Sequence, residues 1–196
     1  MKRDPVRPGR CAWAVDGVGQ PVALMTAYHD EEWGTVQRDD RRLFEKLCLE
    51  AFQSGLSWAT ILRKREAFRA AFAGFEPTVV ARFADADRAR LLADASIVRN
   101  RAKIDAVISN AGRFVDLVAV EGSFAGWLER VVPRRGPLPA EATLADVPAE
   151  TPASRALADA LRARGFRFVG PTTAYAFMQS VGLVDDHLPG CFRYRG

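Results

Sequence analysis

The sequence predicts an all-α protein, and three observations support this prediction. Apolar residues recur at helical spacing through most of the 196-residue chain. Residues that favour helix starts stand in front of many of these segments. Strand signals are weak, because no long alternating run is bounded by turn residues. With 48% hydrophobic and 27% charged residues, the composition is that of a globular protein, which excludes disordered, collagen-like and coiled-coil classes.

The first half of the chain contains several predicted helices. Asp39 and Asp40 can cap a segment whose apolar residues share one face: Leu43, Phe44, Leu47, Cys48 and Ala51. Ser57 can cap the next helix, in which Ile61, Leu62, Phe68 and Phe72 are apolar among basic residues. Pro77 suits the first position of another helix. Residues 85–95 and 103–120 are predicted to form two more.

The second half continues the helical pattern around one irregular stretch. Residues 123–132 predict a short helix, and the Pro/Gly-rich residues 133–139 predict a surface loop. A strongly amphipathic helix begins at Thr151–Pro152 and ends before Gly165. Pro171 begins the last apolar helix, which Gly182 closes.

Length, charge and hydropathy narrow the class of protein. Residues 1–196 fit one domain, and the sequence does not decide whether this domain has two helical lobes. The net charge of +4 permits an anionic partner without requiring one. No run of about 18 apolar residues occurs, and the basic N-terminus lacks the apolar core of a signal peptide. We therefore expect a cytoplasmic protein without a membrane span, whose three cysteines bind a metal or are buried.

Two pairs of potential metal ligands lie near opposite ends of the chain. Cys11 and His29 form one pair, and His187 and Cys191 form the other. Two thiolates and two imidazoles are a donor set that structural zinc uses, and such a site would join the two ends. The alternative is a buried cysteine with two surface histidines, since the spacing matches no compact zinc finger. Cys48 lies on an apolar helix face and is predicted to be core.

Glu50 is a carboxylate in an unusual position. At about 100° per residue it lies roughly 20° from Leu43 and 60° from Leu47, at the margin of the apolar stripe. Its candidate neighbours are three aromatic residues: Tyr28, Trp33 and Trp58. An aromatic box with one carboxylate suits a flat ligand that is cationic or donates hydrogen bonds. The alternative is a surface glutamate that extends past a core helix.

Three short connections could contact a nucleic acid. Gly55–Leu56 exposes an apolar tip, which is either ordinary packing or a wedge between bases. Residues 164–173 join two predicted helices through a hairpin, and backbone amides at the start of the second helix could hold a phosphate. A plain turn with a C-capping glycine explains this hairpin equally well. The basic residues within 97–103, Lys103 among them, are more simply explained as a solvated face.

Together these residues resemble the 3-methyladenine DNA glycosylase I family of the helix-hairpin-helix DNA glycosylase superfamily. The resemblance covers most of the chain and rests on five motifs in order: Arg10–Trp13, Tyr28–Gly34, Leu49–Trp58, Gly165–Gln179 and Gly182–His187. It implies a helix-hairpin-helix glycosylase-like domain with a zinc site joining its N- and C-terminal segments. It also implies a monofunctional enzyme that excises 3-methyladenine from double-stranded DNA and so begins base excision repair.

The resemblance also implies roles for individual residues. One structural Zn²⁺ would be held by Cys11, His29, His187 and Cys191. The extruded base would meet the catalytic Glu50 and the substrate-binding residues Tyr28, Trp58, Trp13 and Trp33. The DNA would be contacted by Gln53, Gly55 and Leu56 at the gap, and by Gly165, Gly170 and Thr172 at the phosphates. Met25 stands where the family pattern leads us to expect an aromatic residue.

Chemistry agrees with this assignment. An adenine methylated at N3 is cationic and a good leaving group, so the enzyme must mainly extrude and select it. We expect Trp58 to stack on the base while Glu50 and Tyr28 hydrogen-bond its edge, and we expect a monomer. A glycosylase for another alkylated base and a non-catalytic, zinc-stabilised DNA-binding module remain alternatives. A zinc hydrolase would need an open metal position, which four protein ligands do not leave.

Overall fold

The computed structural model describes residues 9–19 and 22–196, and within them the regular secondary structure is helical, with no β-strand. The predicted all-α fold is therefore confirmed. The α-helices are α1 Ala23–Glu31, α2 Asp40–Gln53, α3 Trp58–Ala71, α4 Pro77–Val80, α5 Asp85–Ala93, α6 Arg101–Glu121, α7 Phe124–Val131, α8 Pro152–Ala163 and α9 Pro171–Ser180. Short 3-10 helices lie at Ala12–Ala14, Ala73–Phe75 and Leu144–Asp146. The first eight residues of the basic N-terminus lie outside the described residues.

Helix α1 was not predicted from the sequence. Its N-cap is Val22, which offers no side-chain hydrogen bond, and its amphipathic pattern is weak. Its buried side chains include Tyr28 and His29, which belong to the functional site rather than to the main core. The helix is thus held by contacts that a search for caps and apolar periodicity does not detect.

Side-chain caps explain where several helices begin. The side chains of Asp39, Ser57 and Thr151 accept hydrogen bonds from backbone amides of α2, α3 and α8, as predicted. Asp40 has a different role, because its carboxylate accepts from the amides of Phe124 and Ala125, each at 2.9 Å. It therefore caps α7, which docks the start of that helix onto α2.

Buried apolar side chains form two clusters of unequal size. The larger, here called the large core, is built mainly from α2, α3, α6, α7, α8 and α9 and includes Phe44, Phe52, Phe68, Phe72, Phe114, Phe124 and Phe177. Cys48 belongs to it, as predicted. The smaller, here called the pocket cluster, consists of Cys11, Tyr28, Trp33, Leu62 and Cys191, with Trp13, Met25, Trp58, Leu188 and Tyr194 packed against it. Trp58 contacts both clusters.

The C-terminal segment packs against two distant parts of the chain. The amide of Phe192 donates to the carbonyl of Gly9 at 2.8 Å, which joins the two ends of the described chain. The Tyr194 hydroxyl donates to the carbonyl of Leu138 at 2.7 Å. Leu138 is buried, so the prediction of a surface loop at 133–139 is wrong at this residue. No helix in the described ranges has the length and apolar character that crossing a membrane requires.

Candidate active site and metal centre

A cavity of about 290 Å³ opens where α1, α2, α3 and α9 approach one another. The structure brings to its wall six of the residues predicted to contact the base or the DNA: Trp13, Tyr28, Trp33, Glu50, Gln53 and Trp58. The wall is mostly apolar and carries few polar groups. This is the composition of a site that encloses a flat ligand and orients it by a few hydrogen bonds.

Glu50 is more deeply buried than its position on the helical wheel indicated. Only 5% of its surface is exposed, although the carboxylate lines the cavity. Burial raises the pKa of Glu50 to about 8, and the positive charge of Lys46 opposes this shift only in part. A cationic ligand in the cavity would favour the ionised carboxylate and recover this desolvation cost.

A charged layer lies behind the pocket wall. The Lys46 ammonium sits 4.4 Å from the centre of the Tyr28 ring and 3.3 Å from a carboxylate oxygen of Glu32. Arg65 pairs with the same carboxylate at 2.7 Å. Burial raises the pKa of the Tyr28 hydroxyl, and the nearby Glu50 adds to the effect. Tyr28 is therefore held as a neutral hydrogen-bonding group with a cation against its ring face.

The aromatic side chains of the pocket meet at tilted or edge-on angles. The ring centres of Tyr28 and Trp58 are 5.2 Å apart, and those of Trp13 and Trp33 are 5.0 Å apart. The Trp58 Nε1 atom is buried and has no hydrogen-bond partner among the described residues. An unpaired buried donor is costly, so its position beside a cavity indicates a place where a ligand or water completes the site.

Several pocket residues were not singled out from the sequence. Leu144 and Val147 line the cavity from the segment between α7 and α8, and Gln179 and Asp186 add polar groups. Asp186 is buried and accepts from the Tyr175 hydroxyl at 2.6 Å and from Gln179 Nε2 at 2.8 Å. It also pairs with Arg135. Asp186 directly precedes the predicted ligand His187, a position that could have drawn attention to it.

The four predicted metal ligands converge beside the pocket. One donor atom from each of Cys11, His29, His187 and Cys191 lies within 4.8 Å of the others, and all four residues are buried. The Cys191 sulfur lies 3.4 Å from His29 Nε2 and 3.7 Å from His187 Nδ1. Sulfur and nitrogen ligands on a tetrahedral zinc ion are separated by about 3.6 Å. The donor set and its spacing therefore fit such an ion.

A second layer of contacts orients the histidines. Asp30 lies 2.7 Å from His29 Nδ1 and pairs with Arg10, which leaves His29 Nε2 directed toward the sulfur atoms. His187 Nε2 faces Gly34, where a Cβ atom would come within 2.8 Å of this nitrogen. Gly34 has a φ of +72°, so both its conformation and the close approach require glycine.

The cluster of four possible metal ligands lies directly beside the pocket. Cys11 lines the cavity as well as joining the ligand cluster. Trp13 packs edge-on against His29 with ring centres 5.2 Å apart, and Trp33 packs against His187 at 4.7 Å. Movement of the ligands would therefore displace two aromatic side chains of the pocket.

The turn between α2 and α3 stands out from the protein surface. Residues 54–57 are all exposed, and Leu56 presents 41% of its surface. Gly55 has a φ of +78°, which reverses the chain between the two helices. We call residues 53–57 the wedge turn. Gln53 also lines the cavity, so the turn lies at its edge.

The predicted hairpin connects α8 to α9 away from the pocket wall. Gly165 has a φ of +83° and ends α8 as predicted. Asn110 holds the hairpin through two bonds with the backbone of Arg167, at 2.8 and 2.9 Å. Gly170 caps α9 and Pro171 follows, so the amide of Thr172 lies in the first turn, where helices offer free donors.

Lys103 departs from its predicted place on a solvated face. Its side chain is buried, and its ammonium donates to the carbonyls of Phe52 and Ser54. The sequence shows a run of basic residues at 99–103, and only the docking of α6 against α2 determines that this one points inward.

Comparison with known proteins agrees with this geometry. The profile of the methyladenine glycosylase family matches residues 18–194. DNA-3-methyladenine glycosylase 1 of Escherichia coli K12 is 44% identical over 187 residues, which cover 95% of this chain and 97% of that protein. DNA-3-methyladenine glycosylase of Haemophilus influenzae is 41% identical over 93% of this chain and 96% of its own.

Solved structures share the fold over nearly the whole chain. A crystal structure of 3-methyladenine DNA glycosylase I superposes with a TM-score of 0.88 at 46% identity, covering 95% of this chain and all of that one. The Staphylococcus aureus enzyme, whose structure describes 3-methyladenine recognition, gives a TM-score of 0.87 at 33% identity, with 95% and 99% covered. From the match of sequence and fold, the chain belongs to the methyladenine glycosylase family.

Proposed function

We propose that the protein hydrolyses the N-glycosidic bond of 3-methyladenine in alkylated double-stranded DNA and thereby begins base excision repair. Family membership supplies the reaction: the chain is a DNA-3-methyladenine glycosylase. The observation that carries the proposal is the single glutamate, Glu50, buried in the wall of an aromatic cavity. The cavity offers ring faces for stacking and a carboxylate for a cationic or hydrogen-donating base edge.

We assign recognition of the extruded base to three residues. Trp58 stacks on the base, while Glu50 and Tyr28 hydrogen-bond its edge. Trp13 and Trp33 complete the aromatic wall. Because the 3-methylated nucleobase in DNA is cationic and normal adenine is neutral, a desolvated carboxylate selects the damaged base by charge as well as by shape.

The chemical step needs little acid catalysis. The bond between the sugar C1′ and the base breaks, and its electron pair leaves with the base, which becomes neutral. A water molecule adds to C1′ and loses a proton, which leaves an abasic site. The ionised Glu50 would stabilise positive charge that develops on the sugar. None of the described residues that line the cavity is a lysine, which supports a monofunctional enzyme without lyase activity.

We assign DNA binding to the two exposed turns. Leu56, flanked by Gln53 and Gly55, would fill the gap that the extruded nucleotide leaves in the duplex. The hairpin between α8 and α9 would hold backbone phosphates through amides near Gly165, Gly170 and Thr172. The positive charge of the chain favours this association.

We further propose one structural Zn²⁺ held by Cys11, His29, His187 and Cys191. When bound, it would supply folding energy by joining the N-terminal segment, α1 and the C-terminal segment. Four protein ligands would close its coordination and leave no position for substrate.

The three cysteines form no disulfide with one another, which agrees with a reducing, cytoplasmic location. We regard residues 1–196 as one glycosylase domain that acts as a monomer.

The test is release of free base from methylated duplex DNA, resolved by chromatography, with wild type and Glu50→Gln compared. We expect wild type to release 3-methyladenine and to leave abasic sites, and the variant to bind the DNA with little release. Absence of release by folded, metal-loaded wild type would refute the proposal and favour a DNA-binding module or another lesion. Equal loss of release and DNA binding in the variant would refute the role of Glu50.

A further inference from the structure

Lys103 is a buried cation whose partners are unusual. Only 7% of its surface is exposed, yet no carboxylate among the described residues pairs with it. Its Nζ atom instead donates to the main-chain carbonyls of Phe52 at 2.9 Å and Ser54 at 2.5 Å. A buried ammonium is costly unless its donors are satisfied, so this arrangement needs a reason beyond packing.

The two carbonyls lie where α2 ends and the wedge turn begins. Phe52 belongs to the last turn of α2, whose carbonyls have no partner within the helix and carry the negative end of the helix dipole. Ser54 is the C-cap residue of α2 and the first exposed residue of the turn. Lys103 therefore links the end of the helix to the segment that presents Leu56.

The lysine is itself fixed in place. It lies in the first turn of α6, where the side-chain oxygen of Asn100 accepts a hydrogen bond from its backbone amide at 3.1 Å. Among the described residues, 9–19 and 22–196, its two side-chain bonds are the only hydrogen bonds that reach residues 52–57 from outside 40–71, the stretch formed by α2, the turn and α3. On the other side, Ser57 anchors the turn by capping α3.

We propose that Lys103 is a positioning residue for base extrusion: it holds the wedge turn in the geometry in which Leu56 and Gln53 meet the duplex. The inference rests on the proposed role of Leu56 in DNA. Gly55 has a positive φ, and no described residue beyond its chain neighbours comes within 4 Å of where a Cβ atom would lie, so packing does not hold the turn at this residue. Fixing the turn before DNA binds removes an ordering cost from the complex.

The experiment compares Lys103→Met with Lys64→Met. Lys64 is the control for the carbonyl contacts: it is more exposed than Lys103, but its ammonium also donates to two carbonyls, of Ala95 and Ser96, without touching the wedge turn. Three quantities are measured: kcat/KM for release of 3-methyladenine from methylated duplex DNA, affinity for free 3-methyladenine, and hydrogen exchange of the amides of residues 53–57. Lys103→Gln serves the same purpose if the methionine variant does not fold.

We expect Lys103→Met to lower kcat/KM about tenfold or more, while affinity for the free base changes less than about twofold. Exchange at 53–57 should accelerate in this variant and not in Lys64→Met. In a Leu56→Ala background, Lys103→Met should have little further effect, because both changes disable the same wedge.

Unchanged exchange at residues 53–57 would overturn the proposal, and so would an equal loss of activity with and without Leu56. Equal losses in the Lys64 and Lys103 variants would do the same, since they would indicate a general effect of charge. A wild type that releases no base would instead refute the proposed function, and the exchange measurement would still decide whether Lys103 holds the turn.

Discussion

The large core and the pocket cluster meet at α3 but bury different chemistry. The large core encloses phenylalanine and aliphatic side chains, as in the contact of Phe114 and Phe124 at 4.6 Å between ring centres. The pocket cluster contains two thiols and borders two imidazoles and the carboxylates of Glu50 and Asp186. Among the described residues, the buried side-chain polar atoms without a partner are Trp58 Nε1 and His187 Nε2, and both lie in this second region.

The difference shows how stability and function are divided in this fold. A core of apolar side chains gains stability from every contact and offers nothing to a ligand. The pocket region retains desolvated polar groups whose cost a base or a metal ion would offset. Substitutions in the large core should therefore lower stability, and substitutions of base-binding residues outside the proposed metal ligands should lower binding.

Loss of the proposed metal centre should have the largest effect on thermal stability. Cys11→Ser removes one proposed ligand, so we expect the bound metal to be lost and the Tm to fall by more than about 10 °C. Cys48→Ala is the control, since it removes a buried thiol from the large core. It should retain one metal ion per chain. Metal analysis measures the bound ion and calorimetry measures the Tm in each variant. An unchanged Tm for Cys11→Ser would refute the structural role of the site.

Truncation in the large core should destabilise the protein without altering the pocket. Phe124 is fully buried among aromatic rings of α6, α7 and α9. Phe124→Ala should cost about 3–5 kcal/mol of unfolding free energy, measured by urea denaturation. Activity per folded molecule should remain close to that of wild type at low temperature. A selective loss of base binding would contradict the separation of the two regions.

The buried carboxylate should make stability depend on pH. The pKa of Glu50 is about 8 in the folded protein and close to 4.5 when unfolded, so the folded state binds more protons between these values. The stability of wild type should therefore fall as pH rises from about 5 to 9, relative to Glu50→Gln, which cannot ionise. Between about pH 5 and 9 we expect the unfolding free energy of wild type to fall by roughly 2–5 kcal/mol relative to that of Glu50→Gln.

Glu45→Gln is the control for this titration. Glu45 lies on the same helix but pairs with Arg69 rather than facing the cavity. Parallel pH curves for wild type and Glu50→Gln would show that burial does not shift the Glu50 carboxyl.

The smallest effect on stability is expected at Trp58. Trp58→Phe removes an unpaired buried N–H, so the free energy of unfolding should change by less than about 1 kcal/mol. Affinity for 3-methyladenine should fall at least about fivefold, because stacking area is lost. Trp127→Phe, in the large core, should leave affinity unchanged. Fluorescence titration distinguishes the two variants, and equal affinities would exclude Trp58 from base binding.

The parts of the fold that sequence predicted are those governed by local rules. Asp39, Ser57 and Thr151 mark helix starts because a capping side chain acts within three residues of its own position. Helix α1 was not predicted because it lacks such a cap and is fixed by side chains of the pocket region.

In the site too, local motifs could be identified from the sequence, whereas contacts between distant residues could not. Motif resemblance brought together Glu50, its aromatic neighbours and the four possible metal ligands, while periodicity alone put Glu50 only at a margin. Asp186 and Lys103 were not predicted as buried polar residues, since each is fixed by residues distant in sequence. Arg135 pairs with Asp186 from 51 residues away, and Phe52 accepts from Lys103 across the same separation.

The most direct test of this account is the ionisation of Glu50, followed by NMR of its ¹³C-labelled side-chain carboxyl with and without 3-methyladenine. We predict that the Glu50 carboxyl has a pKa of about 8 in the free protein and that this pKa changes when the base occupies the cavity. Glu50→Gln should remove the signal and identify it. A carboxyl that titrates near 4.5 and does not respond to the base would contradict the claim that the pocket holds a desolvated acid for the damaged base.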